Sequence, residues 1–270
     1  MLYTEKSILM EQTDQHSTVE RRKKIIQMLA TKDQVFVDEL SKEFNVSEVT
    51  IRNDLKQLEA KKLLIRARGG AMSISKTVSF DQQLDEKHKI NMNEKNRIGK
   101  AAAQLITSGD TVIIDSGTTT LEIVKNLSPA LNHVTIITNA LNIAQHLLSR
   151  PNINLIIPGG VMRQNSFSLI GPLAEKNFRN FFVDKVFLGV DGFDTSSGIS
   201  TPNMEEAFLN QIMIEVAKEV IVVTDSSKFM RKSLAFICKL DKINTVITDQ
   251  GMNETDMKKL TDANIKVIVA

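Results

Sequence analysis

The chain has 270 residues, 42% hydrophobic and 24% charged, with a net charge of +2. This is the make-up of a soluble protein with enough apolar mass for two cores. One cysteine, Cys238, excludes an intramolecular disulfide and favours a reducing compartment. No apolar run approaches membrane-span length, and the N-terminus lacks a leader pattern, so a cytoplasmic location without membrane contact is expected.

Residues 1–16 are polar and aperiodic and read as a flexible arm. Ser17 and Glu20 form a capping box that opens a helix over Val19–Leu29, burying Ile25, Ile26 and Leu29. Its outer basic run, Arg21–Lys24, is either a solvated face or a grip on DNA phosphates. Together with the segments that follow, this helix makes a winged domain over residues 17–72.

Val37–Phe44 carries Val37, Leu40 and Phe44 at the spacing of a buried helical stripe. Asn45–Val46 turns the chain, and Ser47 can accept from the unpaired amides of a second helix. In that helix Ile51, Leu55 and Leu58 must face inward, which leaves Val49, Arg52, Asn53, Lys56 and Gln57 outside. Arg, Asn and Gln read base edges, and Val meets a thymine methyl. The layout is that of a helix-turn-helix whose second helix enters the major groove, with Ser47, Val49, Thr50, Arg52, Asn53 and Lys56 as contact residues.

A helical pair alone could equally pack on another surface. The basic continuation Lys61–Gly70 favours DNA: it has the form of a β-ribbon wing with Arg66 and Arg68 on one side. Between Glu20 and Gly70 twelve basic side chains stand against eight acidic ones, so the small positive excess lies where a phosphate backbone would need it. One short recognition helix reads few base pairs, so a homo-oligomer, dimer or tetramer, on double-stranded operator DNA is expected.

Residues 73–93 read as a linker that turns helical near Leu84. From residue 94 to 270 short β-branched strands alternate with helices. The strands are Thr111–Asp115, Val134–Thr138, Asn154–Ile157, Lys185–Val190, Glu219–Thr224, Thr245–Thr248 and Lys266–Val269. Helices are expected over Ile98–Ile106 and near Thr119–Leu127, Asn142–Leu148, Ala174–Phe181, Glu205–Ala217 and Glu254–Ala263. Near-continuous apolar strands between helices predict a doubly wound parallel α/β sheet.

Ligands of such sheets sit beyond the carboxyl ends of the strands. After the first strand come Asp115, Ser116, Gly117, Thr118, Thr119 and Thr120, a small polar loop opening a helix, well suited to an anion. Asp115 is expected more as the residue that orders this loop than as a ligand group. Asn139 follows the second strand; Gly159, Gly160 and then Arg163 follow the third; Asp191, Gly192 and Asp194 follow the fourth; Asp225–Lys228 follows the fifth. Donors for a phosphate, carboxylates and an amide for hydroxyls, and Lys228 for charge suit a phosphorylated polyol. No metal or cofactor is called for.

The stretch ELSKEFNVSEVTIRNDLKQLE followed by RARGGAM resembles the N-terminal signature of the DeoR family of bacterial transcriptional regulators. IDSGTTT, ITN, PGG, FLGVDGFD, GIST and VVTDSSK are similar to that family's sensor-domain motifs, in the family's order, so the resemblance runs from about Thr18 to the C-terminus. It implies a ribose-5-phosphate-isomerase-like sensor domain for phosphorylated sugars, with Ser116–Thr120 on the phosphate and Asp191 and Lys228 facing the sugar. It also implies repression relieved by ligand. Within the family, FLGVDGFDTSSGISTPNMEEAFLN is similar to the repressors of N-acetylgalactosamine and galactosamine catabolism. An amino sugar would suit acids such as Asp191, Glu205 or Glu206.

Two other functions fit less well. An active isomerase needs a base and a cation at the reacting carbons. Here no lysine lies between Asp194 and Lys218, and the position of the isomerase base falls on Asn210, so catalysis is expected to be absent. A C-terminal domain that only oligomerises leaves the clustered polar rim without a purpose.

Overall fold

The computed structural model describes residues 18, 20–29, 34–61, 63–67, 69–72 and 83–270, in two compact units divided after Thr77. The expected arm, the Ser17 cap, Arg68 and the linker residues 73–82 lie outside the described residues.

The first unit begins with helix α1 (20–29), followed by β1 (Gln34–Phe36), α2 (Val37–Phe44) and α3 (Glu48–Ala60). Ile25, Leu29, Val35, Val37, Leu40, Ile51, Leu55, Leu58, Leu64 and Ala71 close one core. Asn45 ends α2 in a left-handed conformation, φ 52°, which an Asn tolerates better than most residues, and the Ser41 hydroxyl pins the turn by donating to the Val46 carbonyl at 2.6 Å. Strands β2 (Ile65–Ala67) and β3 (Gly70–Met72) form the wing, and β1 completes an antiparallel sheet in the order β1-β3-β2. The two glycines of the wing have separate reasons. Gly69 turns at φ +84°, and at Gly70 a Cβ would stand 2.1 Å from the Val35 carbonyl oxygen.

The basic run on α1 departs from expectation. Arg21 is buried, and its Nε donates to Asp54 Oδ2 at 2.6 Å; Arg22 Nε donates to Asp54 Oδ1 at 2.7 Å. Only Lys23 and Lys24 of the run are exposed. A carboxylate on α3 had no periodic signal to mark it as an internal partner, so the run read as one outward face.

The second unit opens with α4 (Leu84–Lys89) and α5 (Met92–Ala103). Its sheet contains all seven expected strands: β4 (Thr111–Ile114), β5 (Val134–Ile137), β6 (Ile153–Ile156), β9 (Val183–Gly189), β12 (Ala217–Val223), β14 (Thr245–Thr248) and β15 (Lys266–Val269). Every pairing is parallel and the order is β15-β14-β12-β9-β4-β5-β6. The chain winds one way from β4 through β5 to β6, then returns to β9 and winds the other way. β4 and β9 therefore flank the switch point of a doubly wound sheet.

Alternate residues enter opposite cores, as the period of a strand requires. Val112 and Ile114 of β4 join Ile98 and Ile123, from α5 and α6 (Thr118–Lys125), while Ile113 joins Phe178, Leu209 and Ile212, from α8 (Pro172–Phe178) and α9 (Met204–Glu215). α7 (Leu141–Leu147) and α10 (Glu254–Asp262) complete the cover.

Two small sheets were not foreseen. β7 (Val161–Arg163) and β8 (Ser168–Ile170) form a hairpin after the third parallel strand. β10 (Gly192–Asp194) and β11 (Gly198–Thr201), which follow the fourth, and β13 (Ala235–Cys238), which follows the fifth, form an antiparallel sheet. The β10–β11 turn is held by Asp194 Oδ1, which accepts from the Ser196 and Ser197 amides at 3.0 and 2.7 Å. Among the described residues, no helix is long and apolar enough to cross a membrane.

Candidate functional site

In the first unit the Ser47 hydroxyl accepts from the Thr50 amide at 3.2 Å and lies 2.9 Å from the Thr50 hydroxyl, so both residues are engaged in capping α3. With Ile51, Leu55 and Leu58 turned into the core, Val49, Arg52, Asn53, Lys56 and Gln57 are exposed, Val49 by 72%. Arg52 meets Glu48 at 2.6 Å across one helical turn, a solvated pair that a phosphate or base edge can replace at small cost. Arg66 stands exposed on the wing, 3.9 Å from Glu59, whose carboxylate also accepts from the Arg66 amide. The face is polar, projecting and lightly paired, as a surface that meets a nucleic-acid backbone should be.

In the second unit one cavity opens at the switch point. The loop after β4 and the start of α6 supply Asp115, Ser116, Gly117, Thr118 and Thr119; β9 and its loop supply Gly189 and Asp191; the end of β12 supplies Thr224, Asp225, Ser227 and Lys228. α6 has no side-chain cap, and its first internal bond runs from the Leu121 amide to the Gly117 carbonyl. The amides of Thr118, Thr119 and Thr120 therefore have no partner within the helix.

Nine of the thirteen residues expected to meet a ligand line this cavity: Asp115, Ser116, Gly117, Thr118, Thr119, Arg163, Asp191, Glu206 and Lys228. The other four do not. Thr120 is fully buried and its hydroxyl donates to the Gly117 carbonyl at 3.1 Å. Asn139 is buried against β8, its backbone carbonyl accepting from the Leu169 amide at 2.7 Å. Gly159 and Gly160 lead into the β7–β8 hairpin, where a Cβ on Gly160 would meet the Ile170 carbonyl oxygen at 2.8 Å. Their role is to let the hairpin fold back and bring Arg163 to the cavity.

Sequence reasoning missed Lys87 and Lys95, which come from the segment read as a linker and from the helix after it. It also missed Asn165 and Ser166 as lining residues and took Asn210 only as a lost base, while Asp225 and Ser227 line the cavity as part of the Asp225–Lys228 loop placed at the rim. No local pattern marks Lys87 and Lys95, because the chain breaks between α4 and α5 at Ile90 and Asn91 and the two lysines lie on different helices.

The charges in the cavity are paired. Lys87 Nζ lies 2.8 Å and Lys228 Nζ 3.8 Å from Asp191 Oδ1. Burial pushes the Asp191 carboxyl up, but Lys87 and Lys228 outweigh it and hold the group below its usual range. Glu206 Oε1 accepts from Arg163 at 3.0 Å, from the Ser166 hydroxyl at 2.7 Å and from the Ser168 hydroxyl at 3.1 Å. Asp225 accepts from the Asn91 side chain at 2.8 Å and from the Ser227 hydroxyl and amide. Lys95 is 5% exposed and donates to the Lys87 carbonyl at 2.5 Å; burial, helped by Lys228 and Lys87 against the pull of Asp225, brings its ammonium down to about 8. Burial, with the Glu206 carboxylate beside it, pushes Asp115 up to about 8, so at neutral pH this group is chiefly a neutral acid beside Asn210.

Residues 21–77 match the model of the DeoR-like helix-turn-helix domain, and residues 90–250 match that of the DeoR C-terminal sensor domain. The chain belongs to the DeoR family. It is a DNA-binding transcriptional regulator with an N-terminal reading unit and a C-terminal sensor unit. A candidate transcriptional repressor of the aga operon from Escherichia coli O157:H7 is 43% identical over 253 residues, 93% of this chain and 94% of that protein. The transcriptional repressor AccR of Agrobacterium fabrum is 35% identical, covering 87% of this chain and 91% of its own length. A solved structure of the full-length sorbitol operon regulator SorC of Klebsiella pneumoniae covers 88% of this regulator and 98% of its own chain at 12% identity and a TM-score of 0.42. Ribose 5-phosphate isomerase A of Neisseria gonorrhoeae aligns over 51% of the regulator and 53% of its own chain at 10% identity and a TM-score of 0.37. Likenesses of that size add nothing to what the strand order establishes.

Proposed function

We propose that this regulator represses a sugar or amino-sugar catabolic operon, and that a phosphorylated sugar in the sensor cavity relieves the repression. The observation that carries the reading is the uncapped start of α6, facing a cavity that also holds Lys87, Lys95, Arg163 and Lys228. Loop amides, the helix dipole and ammonium groups together suit a phosphate, and the Ser116–Thr119 loop takes it. Asp191 and Lys228 face the hydroxyls. The kinship with a candidate aga operon repressor supports a sugar operon as the target. Operator DNA is read by Val49, Arg52, Asn53 and Lys56, with Arg66 and Arg68 on the phosphates, in a dimer or tetramer in the cytoplasm. Ligand binding favours the arrangement that holds DNA less tightly.

The cavity is a binding site without catalysis. Asn210 cannot abstract a proton, and Glu206 is held by three donors. Fluorescence anisotropy of the full chain on the DNA upstream of its gene, with and without a panel of sugar phosphates, tests the proposal. Tight binding that weakens with one phosphorylated sugar, which is recovered unchanged, is expected. Release by none of them, or turnover of any, would refute it.

A further inference from the structure

Every acidic side chain lining the sensor cavity already has a neighbour. Asp191 holds Lys87 and Lys228, Glu206 holds Arg163, Ser166 and Ser168, Asp225 holds Asn91 and Ser227, and Asp115 faces Asn210. Glu205, the other acid suited by type to an amine, is exposed and does not line the cavity. At Oδ1 of Asp191 the position an incoming ammonium would take is occupied by the ammonium of Lys87, 2.8 Å away, with the Lys228 ammonium 3.8 Å from the same oxygen.

Lys87 is also held in place. Its carbonyl accepts from the buried Lys95 side chain at 2.5 Å. One turn earlier on α4 the Leu84 amide donates to the Asn165 carbonyl at 2.9 Å, and Leu84, Lys87 and Ile90 all line the cavity. A ligand cation that displaced the Lys87 ammonium would leave it near Lys95 and Lys228, which already crowd each other. A ligand hydroxyl or acetamido group brings no such conflict, because it can share Asp191 without displacing a charge.

We propose that Lys87 sets the charge specificity of the sensor: its ammonium takes the place at Asp191 that a protonated amino sugar would need, so the cavity accepts phosphorylated sugars that carry hydroxyl or acetamido groups and rejects free amino sugars. The inference rests on the effector reading above and narrows it.

The test is calorimetric titration of the full chain with hexose 6-phosphates of the galacto and gluco series that differ only at carbon 2, as the hydroxyl, acetamido and amino forms. Wild type should bind its preferred form with a neutral carbon-2 group about tenfold or more tightly than the amino form, as expected for a partly desolvated like-charge conflict. Lys87→Met frees Asp191 and should shrink that ratio to about twofold or reverse it, whereas Lys87→Arg keeps a cation there and should preserve it. Wild type that binds the amino form as tightly as the others would overturn the inference and leave the effector reading standing, as would an unchanged ratio in Lys87→Met. Binding of no member by any variant would overturn both. Should Lys87→Met fail to fold, the wild-type ratio and Lys87→Arg still decide.

Discussion

The two units use charge in opposite ways. On the outer face of α3 the polar side chains project into solvent, and the Arg52–Glu48 ion pair there is exposed on both sides. In the sensor cavity the charged groups are largely buried and closed on one another, Lys87 with Asp191 and Arg163 with Glu206. A surface that reads DNA must offer its donors at once, because the partner is large, highly charged and met from solvent. A cavity that senses a small molecule must be stable while empty, so its ligand has to exchange with internal partners. The first unit contains one exception in the style of the second: Arg21 and Arg22 on a single buried carboxylate, Asp54.

That exception gives the largest expected effect. Asp54→Ala strands Arg21 in the core of the reading unit, and removing one partner of a buried pair costs about 3–5 kcal/mol. Urea unfolding should show the reading unit lost and DNA binding abolished while the sensor still melts cooperatively. Retained DNA affinity would mean that this pairing is as dispensable as those on α3.

The next effect lies in the sensor and depends on pH. The carboxyl of Asp115 sits at about 8 in the fold against an ordinary 3.8, so between those values the native state binds more protons than the unfolded chain. Stability from this group is complete below about 3.8 and is lost as pH rises towards 8. Asp115→Asn copies the protonated acid. It should stabilise the sensor at pH 8 by on the order of a few kcal/mol and flatten the pH profile of its melting temperature. A profile unchanged by the substitution would show that Asp115 is ionised and solvated after all.

Smaller effects are expected on the open face. Arg52→Ala or Asn53→Ala should cost about 1–3 kcal/mol on the operator and little on random duplex, whereas Arg66→Ala should weaken both alike and lower the salt slope by about one. Gel shifts on specific and random duplexes separate the two patterns; equal losses everywhere for Arg52→Ala would place it on phosphate instead. Ser47→Ala should be mildest, about 1 kcal/mol of stability from the lost α3 cap, read as a small drop in melting temperature of the reading unit.

Much of this architecture is written in local sequence. The seven parallel strands are legible because each is a short apolar run, and α2 and α3 because Val37, Leu40, Ile51, Leu55 and Leu58 recur at helical spacing. Of the nine cavity residues that sequence located, Asp115–Thr119, Asp191 and Lys228 follow parallel strands, where the topology of a doubly wound sheet puts them, whereas Arg163 arrives on the β7–β8 hairpin and Glu206 on α9. Thr120 and Asn139 sit at similar ends but do not line the cavity: the Thr120 hydroxyl donates to the Gly117 carbonyl, and the Asn139 side-chain amide donates to the Leu169 carbonyl at 3.4 Å. The β7–β8 hairpin and the β10–β11–β13 sheet escaped because strands of three or four residues leave too short a pattern to show a period.

Sequence by itself determined the seven parallel strands, α2 and α3 and the exposed polar face of α3, since periodic burial acts between neighbours in the chain. Only the tertiary structure decided which charges answer one another: Arg21 and Arg22 with Asp54, Lys87 with Asp191, Arg163 with Glu206. These partners are 32 to 104 residues apart in the chain, and an ion pair over such a separation depends on distance in space and on burial, neither of which leaves a mark in local order.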